Sequence, residues 1–282
     1  LVAMNPAALK ANLADLPPAE QETAVDQTIA AEHNHRFNLE TGPLFRARLL
    51  QCGHHNHVIV LNMHHIITDG WSWSIFYREL SALYAAKLNN NPNPLAPLPV
   101  QYADFAAWQK ERLQSKELAA QIDYWQTHLA GAPPQLTLPT DYPRPAKQSY
   151  RGGKHYLTVS AAIAQPLRAL SQQEGASFFM TLLAAFKLLL HRLSDQDDLV
   201  VGVPIAGRGR SEVETIIGYF INMLPLRTAV DPEQPFTHYL RHLREASLQA
   251  YEHQDVPFEK VLEVLQPERN LGRTPVFQVT FN

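Results

Sequence analysis

Met63-His64-His65-Ile66-Ile67-Thr68-Asp69-Gly70-Trp71-Ser72 is the stretch that decides how this 282-residue chain is read. Two adjacent imidazoles leave an apolar, β-branched run, His57-Val58-Ile59-Val60-Leu61-Asn62-Met63, of a length and composition that predict a buried strand. An Asp-Gly turn follows, and a helix opens after it. Neighbouring strand residues point to opposite faces, so an extended His64–His65 pair divides its roles. One ring reacts or faces a ligand; the other packs or hydrogen-bonds. Taken alone, the pair reads equally well as two satisfied core histidines.

Working outward, Leu44 to Leu50 alternates, with Phe45, Ala47 and Leu49 on one face and Arg46 and Arg48 on the other, the pattern of a half-exposed strand. Gly53-His54-His55-Asn56 supplies the turn of a hairpin. Upstream, Pro17-Pro18 with Glu20 and Glu22 predicts a helix to about Arg36, its buried side carrying Val25 and Ile29. Downstream, Ser72 is the expected N-cap of a helix in which Trp73, Phe76, Leu80, Leu83, Tyr84 and Leu88 recur at helical spacing. Helical stretches follow at 102–113 and 119–129. Between Gly131 and Lys147, Pro133, Pro134, Pro139, Pro143 and Pro145 mark an extended crossover. The second half repeats the grammar: a strand at 154–159, a helix from Ser160 closed by Gly175, and an apolar helix capped by Ser177. A buried strand at 199–205, an irregular strand region at 217–229 and helices at 236–254 and 257–265 complete it. The expected architecture is mixed α/β in two lobes, 1–131 and 151–282, joined by the crossover 132–150.

Composition narrows the function classes. Hydrophobic residues at 45% and charged residues at 18% describe a globular chain, and a net charge of -3 offers no case for nucleic acid or an anionic membrane. Cys52 is the single cysteine, which excludes an internal disulfide and a cysteine-based zinc site and fits a reducing, cytoplasmic setting. No metal is expected. His54, His55 and His57 lie at the far end of the strand from His64 and His65, roughly 20 Å away at about 3.3 Å per residue. There is no Gly-x-Ser-x-Gly for a serine nucleophile, and Gly207-Arg208-Gly209-Arg210 lacks the pattern of a phosphate loop. That basic loop reads as solvated surface, with contact to an anionic arm or carrier as its functional alternative.

The stretch at 63–72 resembles the His-His-x-x-x-Asp-Gly signature of nonribosomal peptide synthetase condensation domains. Four further segments resemble family motifs in family order: Tyr102-Ala103-Asp104-Phe105-Ala106-Ala107-Trp108; Ile217-Gly218-Tyr219-Phe220-Ile221-Asn222 with Arg227; His253-Gln254-Asp255-Val256-Pro257-Phe258-Glu259; and, more loosely, Arg269-Asn270-Leu271-Gly272-Arg273-Thr274-Pro275. Trp71-Ser72-Trp73-Ser74 and the 269–281 region look like the L-donor type. The family's two upstream motifs are not found, so the chain is expected to be an internal piece lacking the N-terminal motifs and the C-terminal end. An arginine of the upstream motif is thought to pair with the signature aspartate. Asp69 is then short of a partner, at a cost of about 3–5 kcal/mol for a broken buried pair, and the piece alone is expected to be unstable or inactive.

The resemblance implies a chloramphenicol-acetyltransferase-like, two-lobed, V-shaped fold with a tunnel. It implies a reaction in which a carrier-bound acceptor amine attacks a carrier-bound donor thioester. By this likeness His65 is the tunnel-facing base or positioning group and His64 its support. Asp69 is a structural anchor, and the Gly70 N–H is a candidate oxyanion donor. Asn222 and Trp71 are candidates for the substrate tunnel, Trp71 also reading as a core anchor. No cofactor is bound directly; phosphopantetheine arms belong to upstream and downstream peptidyl carrier domains, with an adjoining adenylation domain. Sister readings are an epimerisation domain, a coenzyme A-dependent acyltransferase and a non-catalytic recruitment module of the same fold. Such modules usually lose the second histidine, which is present here as His65.

Overall fold

Alternating arginines and apolar residues after Pro43 build the first sheet. In the computed structural model, which describes residues 10–149, 151–267 and 272–282, three strands lie in the order β1 (Lys10–Asn12), β2 (Phe45–Gln51) and β3 (His57–Met63). β1 runs parallel to β2. β2 and β3 form the expected hairpin, antiparallel from Phe45 opposite Met63 to Gln51 opposite His57. The turn closes where the Cys52 and Gly53 amides donate to the Asn56 carbonyl at 2.9 and 3.0 Å.

Helix α1 (Pro18–His33) seats on this sheet through a charge rather than an apolar side. Ile29 is 46% exposed, against expectation, whereas Glu32 is 4% exposed. Arg46 and Arg48 share one face of β2, and Glu32 lies over both. Arg46 donates through Nε and Nη2 at 2.7 and 2.9 Å, and Arg48 through Nε at 2.7 Å. Asn62 of β3, directly opposite Arg46, donates to the Glu32 backbone carbonyl. The Arg46 hydrogen bonds, followed by those of Arg48, hold the Glu32 carboxyl at about 2 instead of 4.5. The second face of the hairpin meets helix α2 (Gly70–Leu88), where Phe45 and Phe76 stand edge-on at 6.0 Å and Ile75 is buried. Two expectations are corrected here. β3 is half-buried rather than buried, with Ile59 exposed. The α2 stripe of Leu80, Leu83, Tyr84 and Leu88 also remains exposed. The physical reason is coverage: among the described residues an open apolar groove runs between Ile59 and the Trp73–Leu80 side of α2.

By packing, the chain divides elsewhere than at the expected boundary after residue 131. One unit comprises the described residues up to Tyr102 together with Arg210–Phe220; the other comprises Ala103–Gly209 and Ile221–Asn282. Helices α3 (Tyr102–Arg112) and α4 (Lys116–Leu129) therefore belong largely to the second unit. The reason is the core that α4 enters. Its Leu118, Trp125 and Leu129 pack in one cluster with α6 (Phe178–Ser194), β4 (Asp198–Ile205), β5 (Asn222–Ala229), α7 (Phe236–Glu252) and α8 (Phe258–Leu265), helix α5 (Ala161–Gln173) preceding α6 in the chain. Leu183, Leu190, Leu199, Val201, Leu226, Leu240 and Leu243 supply much of that core. Even the Pro-rich crossover is fastened here, by the Leu136 amide donating to Gln278 and the Thr137 amide to Gln196.

β4 and β5 pair antiparallel from Asp198 opposite Ala229 to Ile205 opposite Asn222. Gly202 carries no side chain because the Phe277 ring lies on the strand there; a Cβ would stand 2.5 Å from Phe277 Cε2. The run 275–281 lies along β4 and contributes a single parallel bridge, from Thr280 to Gly202. Residues 154–159 are exposed and unpaired by any ladder, so they do not form the expected strand; 217–221 are irregular, as expected, and β5 follows them. Lys187 of α6 is wholly buried; burial lowers its pKa to about 7, and its Nζ donates to the Leu226 carbonyl at 3.0 Å. Among the described residues no single helix is long and apolar enough to cross a membrane.

The Glu32 clamp predicts acid sensitivity. A carboxyl held at about 2, against 4.5 ordinarily, contributes stability in full above pH 4.5 and loses it as pH falls through 2. Urea unfolding should therefore show a loss of about 3 kcal/mol over that range in the wild type that is missing in Glu32→Gln. Parallel pH profiles for the two proteins would contradict the clamp.

Candidate active site

β3 ends at Met63, and the two histidines are parted by a turn rather than by strand alternation. His64 is still extended, at φ -67° and ψ 136°, and its Nδ1 accepts the Ile66 amide at 3.1 Å. An accepting Nδ1 places the ring proton on Nε2. The His64 ring also stands edge-on to Phe37 at 5.9 Å, so it is fixed on two sides. His65 opens a 3-10 turn, His65–Ile67, and its side chain is exposed. Its ring stands edge-on to Tyr219, 5.6 Å between centroids at 78°.

Asp69, not Ser72, is the N-cap of α2. Its Oδ1 accepts the Ser72 amide at 2.8 Å, which is the third helical donor that a cap side chain reaches. Its Oδ2 accepts the Phe220 amide at 3.1 Å. Asp69 is 3% exposed, and its carboxylate is met by amide and hydroxyl donors of this chain. This corrects the expectation that it is left short of a partner. Ser72 is wholly buried beneath it. Ser72 Oγ lies 2.7 Å from Asp69 Oδ1 and 3.0 Å from the Gly218 carbonyl, which share its proton, and it accepts the Gly218 amide at 3.1 Å.

The segment that these groups hold is the family-like motif at 217–220. Trp71 Nε1 donates to the Glu214 carbonyl at 3.0 Å, and the Tyr102 hydroxyl donates to the Tyr219 carbonyl at 2.8 Å. Burial, and then the charge of Asp69, raise the pKa of Tyr102, which keeps that hydroxyl a donor. Gly218 is required for space: a Cβ there would stand 2.4 Å from Tyr102 Cδ2. Trp71 is 48% exposed, so its reading as a core anchor is corrected; its indole fastens a loop instead. Gly70 is exposed at the first position of α2, where its amide lies outside the intrahelical ladder and a Cβ would meet nothing within 4 Å.

Asn222 lies in the other unit, and its polar capacity is fully used there. Its Nδ2 donates to the Gln254 and Val256 carbonyls at 2.9 and 2.7 Å. Its Oδ1 accepts the Met223 and Phe258 amides at 2.8 and 3.0 Å. The His253–Glu259 motif is thus an ordered loop from His253 to Pro257 that leads into the first turn of α8. It is held further by His253 stacked on Tyr124 at 3.8 Å and by Arg112 donating to Asp255 at 2.7 Å. Arg227 donates twice to Asp198 Oδ2 and once to Oδ1, and its Nη1 satisfies the His128 and Ala130 carbonyls at the end of α4. In the basic loop Arg208 is buried, which corrects the solvated reading; Arg210 is exposed beside Glu212. Residues 269–271 of the loosest motif lie outside the described residues, and among the described residues no three metal-ligating side chains come together.

The structure therefore joins His64, His65, Asp69, Gly70 and Trp71 in one unit and adds Ser72, Tyr102, Gly218 and Tyr219 to them. Local spacing assigns Ser72 to a cap and Tyr102 to helix packing. The usable signal is Gly218, because a glycine inside an apolar run marks close approach of another group. Gly218→Ala forces the Tyr102 ring away and is expected to cost about 1–3 kcal/mol in urea unfolding, with unchanged stability as the contrary result.

The family model described as Condensation domain matches residues 6–282. A linear gramicidin synthase of Brevibacillus parabrevis is 50% identical over 270 residues, which is 96% of this chain and 4% of that protein. Phosphinothricin tripeptide synthetase PhsC of Streptomyces viridochromogenes is 37% identical over 278 residues, 99% of this chain and 26% of that protein. The chain thus spans a small part of these relatives. Among solved structures, the X-domain in its complex with OxyB from teicoplanin biosynthesis is 31% identical with a TM-score of 0.86, over 96% of this chain and 59% of that one. A holo four-domain nonribosomal peptide synthetase bound to AMP and glycine is 25% identical with a TM-score of 0.83, over 96% of this chain and 20% of that one. Mixed α/β architecture, ordered motifs and these likenesses agree, and the chain belongs to the condensation-domain family.

Proposed function

We propose that this chain serves as a condensation domain within a cytoplasmic nonribosomal peptide synthetase, joining a donor acyl or peptidyl thioester to an acceptor aminoacyl thioester. Both substrates arrive on phosphopantetheine arms of neighbouring carrier domains, with an adenylation domain adjoining, and no cofactor is held by the chain itself. The observation that carries this reading is the asymmetry of the two histidines. His64 is locked by an amide and a ring, while His65 stands exposed beside the capped start of α2.

In the reaction the acceptor amine attacks the donor carbonyl, a C–N bond forms and the C–S bond breaks. The amine gives up a proton, and the donor carrier leaves as a thiol. An α-amine has a pKa of about 7.7–8.0, so part of it is already neutral near pH 7. A general base adds about 10²–10⁴-fold, whereas holding two tethered reactants together supplies about 7–11 kcal/mol. Orientation therefore dominates, and His65 assists by accepting from the amine or taking its proton. The Gly70 amide, open at the helix start, is the candidate donor to the developing oxyanion. Asn222 acts by ordering the 254–258 loop, its four hydrogen bonds leaving no polar atom for substrate.

The X-domain neighbour, solved with OxyB, makes recruitment of another protein the second reading. The deciding experiment supplies the full polypeptide with defined aminoacyl carriers and weighs the thioester product. A dipeptidyl product is expected, and His65→Ala should lower kcat by about 10²-fold or more with little change in KM. A full rate in His65→Ala removes the assisting role. No product from the wild type, with tight binding of a second protein, would favour recruitment instead.

A further inference from the structure

His64 and His65 differ in what fixes them. The His64 ring is held by a hydrogen bond at Nδ1. Among the described residues the His65 ring makes no hydrogen bond, so both nitrogens stay open to a reacting amine, and nothing of that kind sets its second torsion. An aromatic contact does bear on the ring: Tyr219 stands edge-on to it at 5.6 Å between centroids.

The backbone around Tyr219 is held at three successive residues. Gly218 meets Ser72 Oγ through both its amide and its carbonyl. The Tyr219 carbonyl accepts from the Tyr102 hydroxyl, and the Phe220 amide donates to Asp69. The segment is thus tied to Tyr102 and to the same helix start that follows His65. We propose that Tyr219 is a positioning residue for His65, its ring holding the imidazole while Ser72, Tyr102 and Asp69 hold its backbone. The inference rests on the condensation reading and names a residue of that same site.

The experiment uses the full polypeptide with carrier-loaded substrates. Tyr219→Leu is expected to lower kcat about 3- to 10-fold, the range of an aromatic pair, with KM and melting temperature unchanged. Tyr219→Phe keeps the ring and should restore most of the rate. In a His65→Ala background Tyr219→Leu should cost nothing further, because the group it positions is gone. If Tyr219→Leu also melts early, Tyr102→Phe tests the same linkage. It removes the donor to the Tyr219 carbonyl and should lower kcat while keeping its ring over Gly218. Wild-type kcat in both variants, or an equal loss in the His65→Ala background, overturns the proposal. Absence of product from the wild type would instead overturn the condensation reading.

Discussion

The carboxylate of Asp69 is the constraint on which the first unit depends. A buried carboxylate is costly unless its lone pairs are met, and here one oxygen accepts from Ser72 and the other from Phe220. The first interaction starts α2. The second binds residues that follow Asp69 by about half the chain. One group therefore fixes both the helix that opens behind His65 and the segment that brings Tyr219 to it. Ser72 doubles the link, and a glycine at 218 admits the Tyr102 ring that completes it.

The second unit uses motif residues in the same way. Asn222 spends three of its four side-chain hydrogen bonds on residues 254–258 and the fourth on the Met223 amide, and Arg227 joins Asp198 to the carbonyl end of α4. Such side chains resemble catalytic candidates in sequence because they are polar within apolar runs. Their work is architectural, since an irregular backbone inside a packed unit needs polar partners for its amides and carbonyls. His65 differs from them in that, among the described residues, its ring makes no hydrogen bond.

Local periodicity makes much of the fold legible. The β2–β3 hairpin, the Ser177 cap of α6 and the Pro257 start of α8 follow from spacing and turn chemistry alone. The failures share a cause. Spacing puts Ile29 on a buried face, but the seat of α1 is a charge cluster whose arginines lie on another element. A boundary after residue 131 overlooks that Trp125 packs with residues beyond 180 and donates to His253. Likewise, strand alternation separates His64 from His65, yet the agent of separation is a 3-10 turn. The role of Ser72 depends on Gly218, a partner that spacing near Asp69 does not disclose.

Asp69→Asn in the full polypeptide, followed by hydrogen–deuterium exchange of peptides covering 214–220 and the first turn of α2, tests the central constraint most directly. Hydrogen bonds to a charged group are worth about 1.5–3 kcal/mol, so both regions should exchange roughly tenfold faster or more while the β4–β5 pair keeps its protection. Unchanged exchange at 214–220 would contradict the account, because that segment would then be held by something other than Asp69.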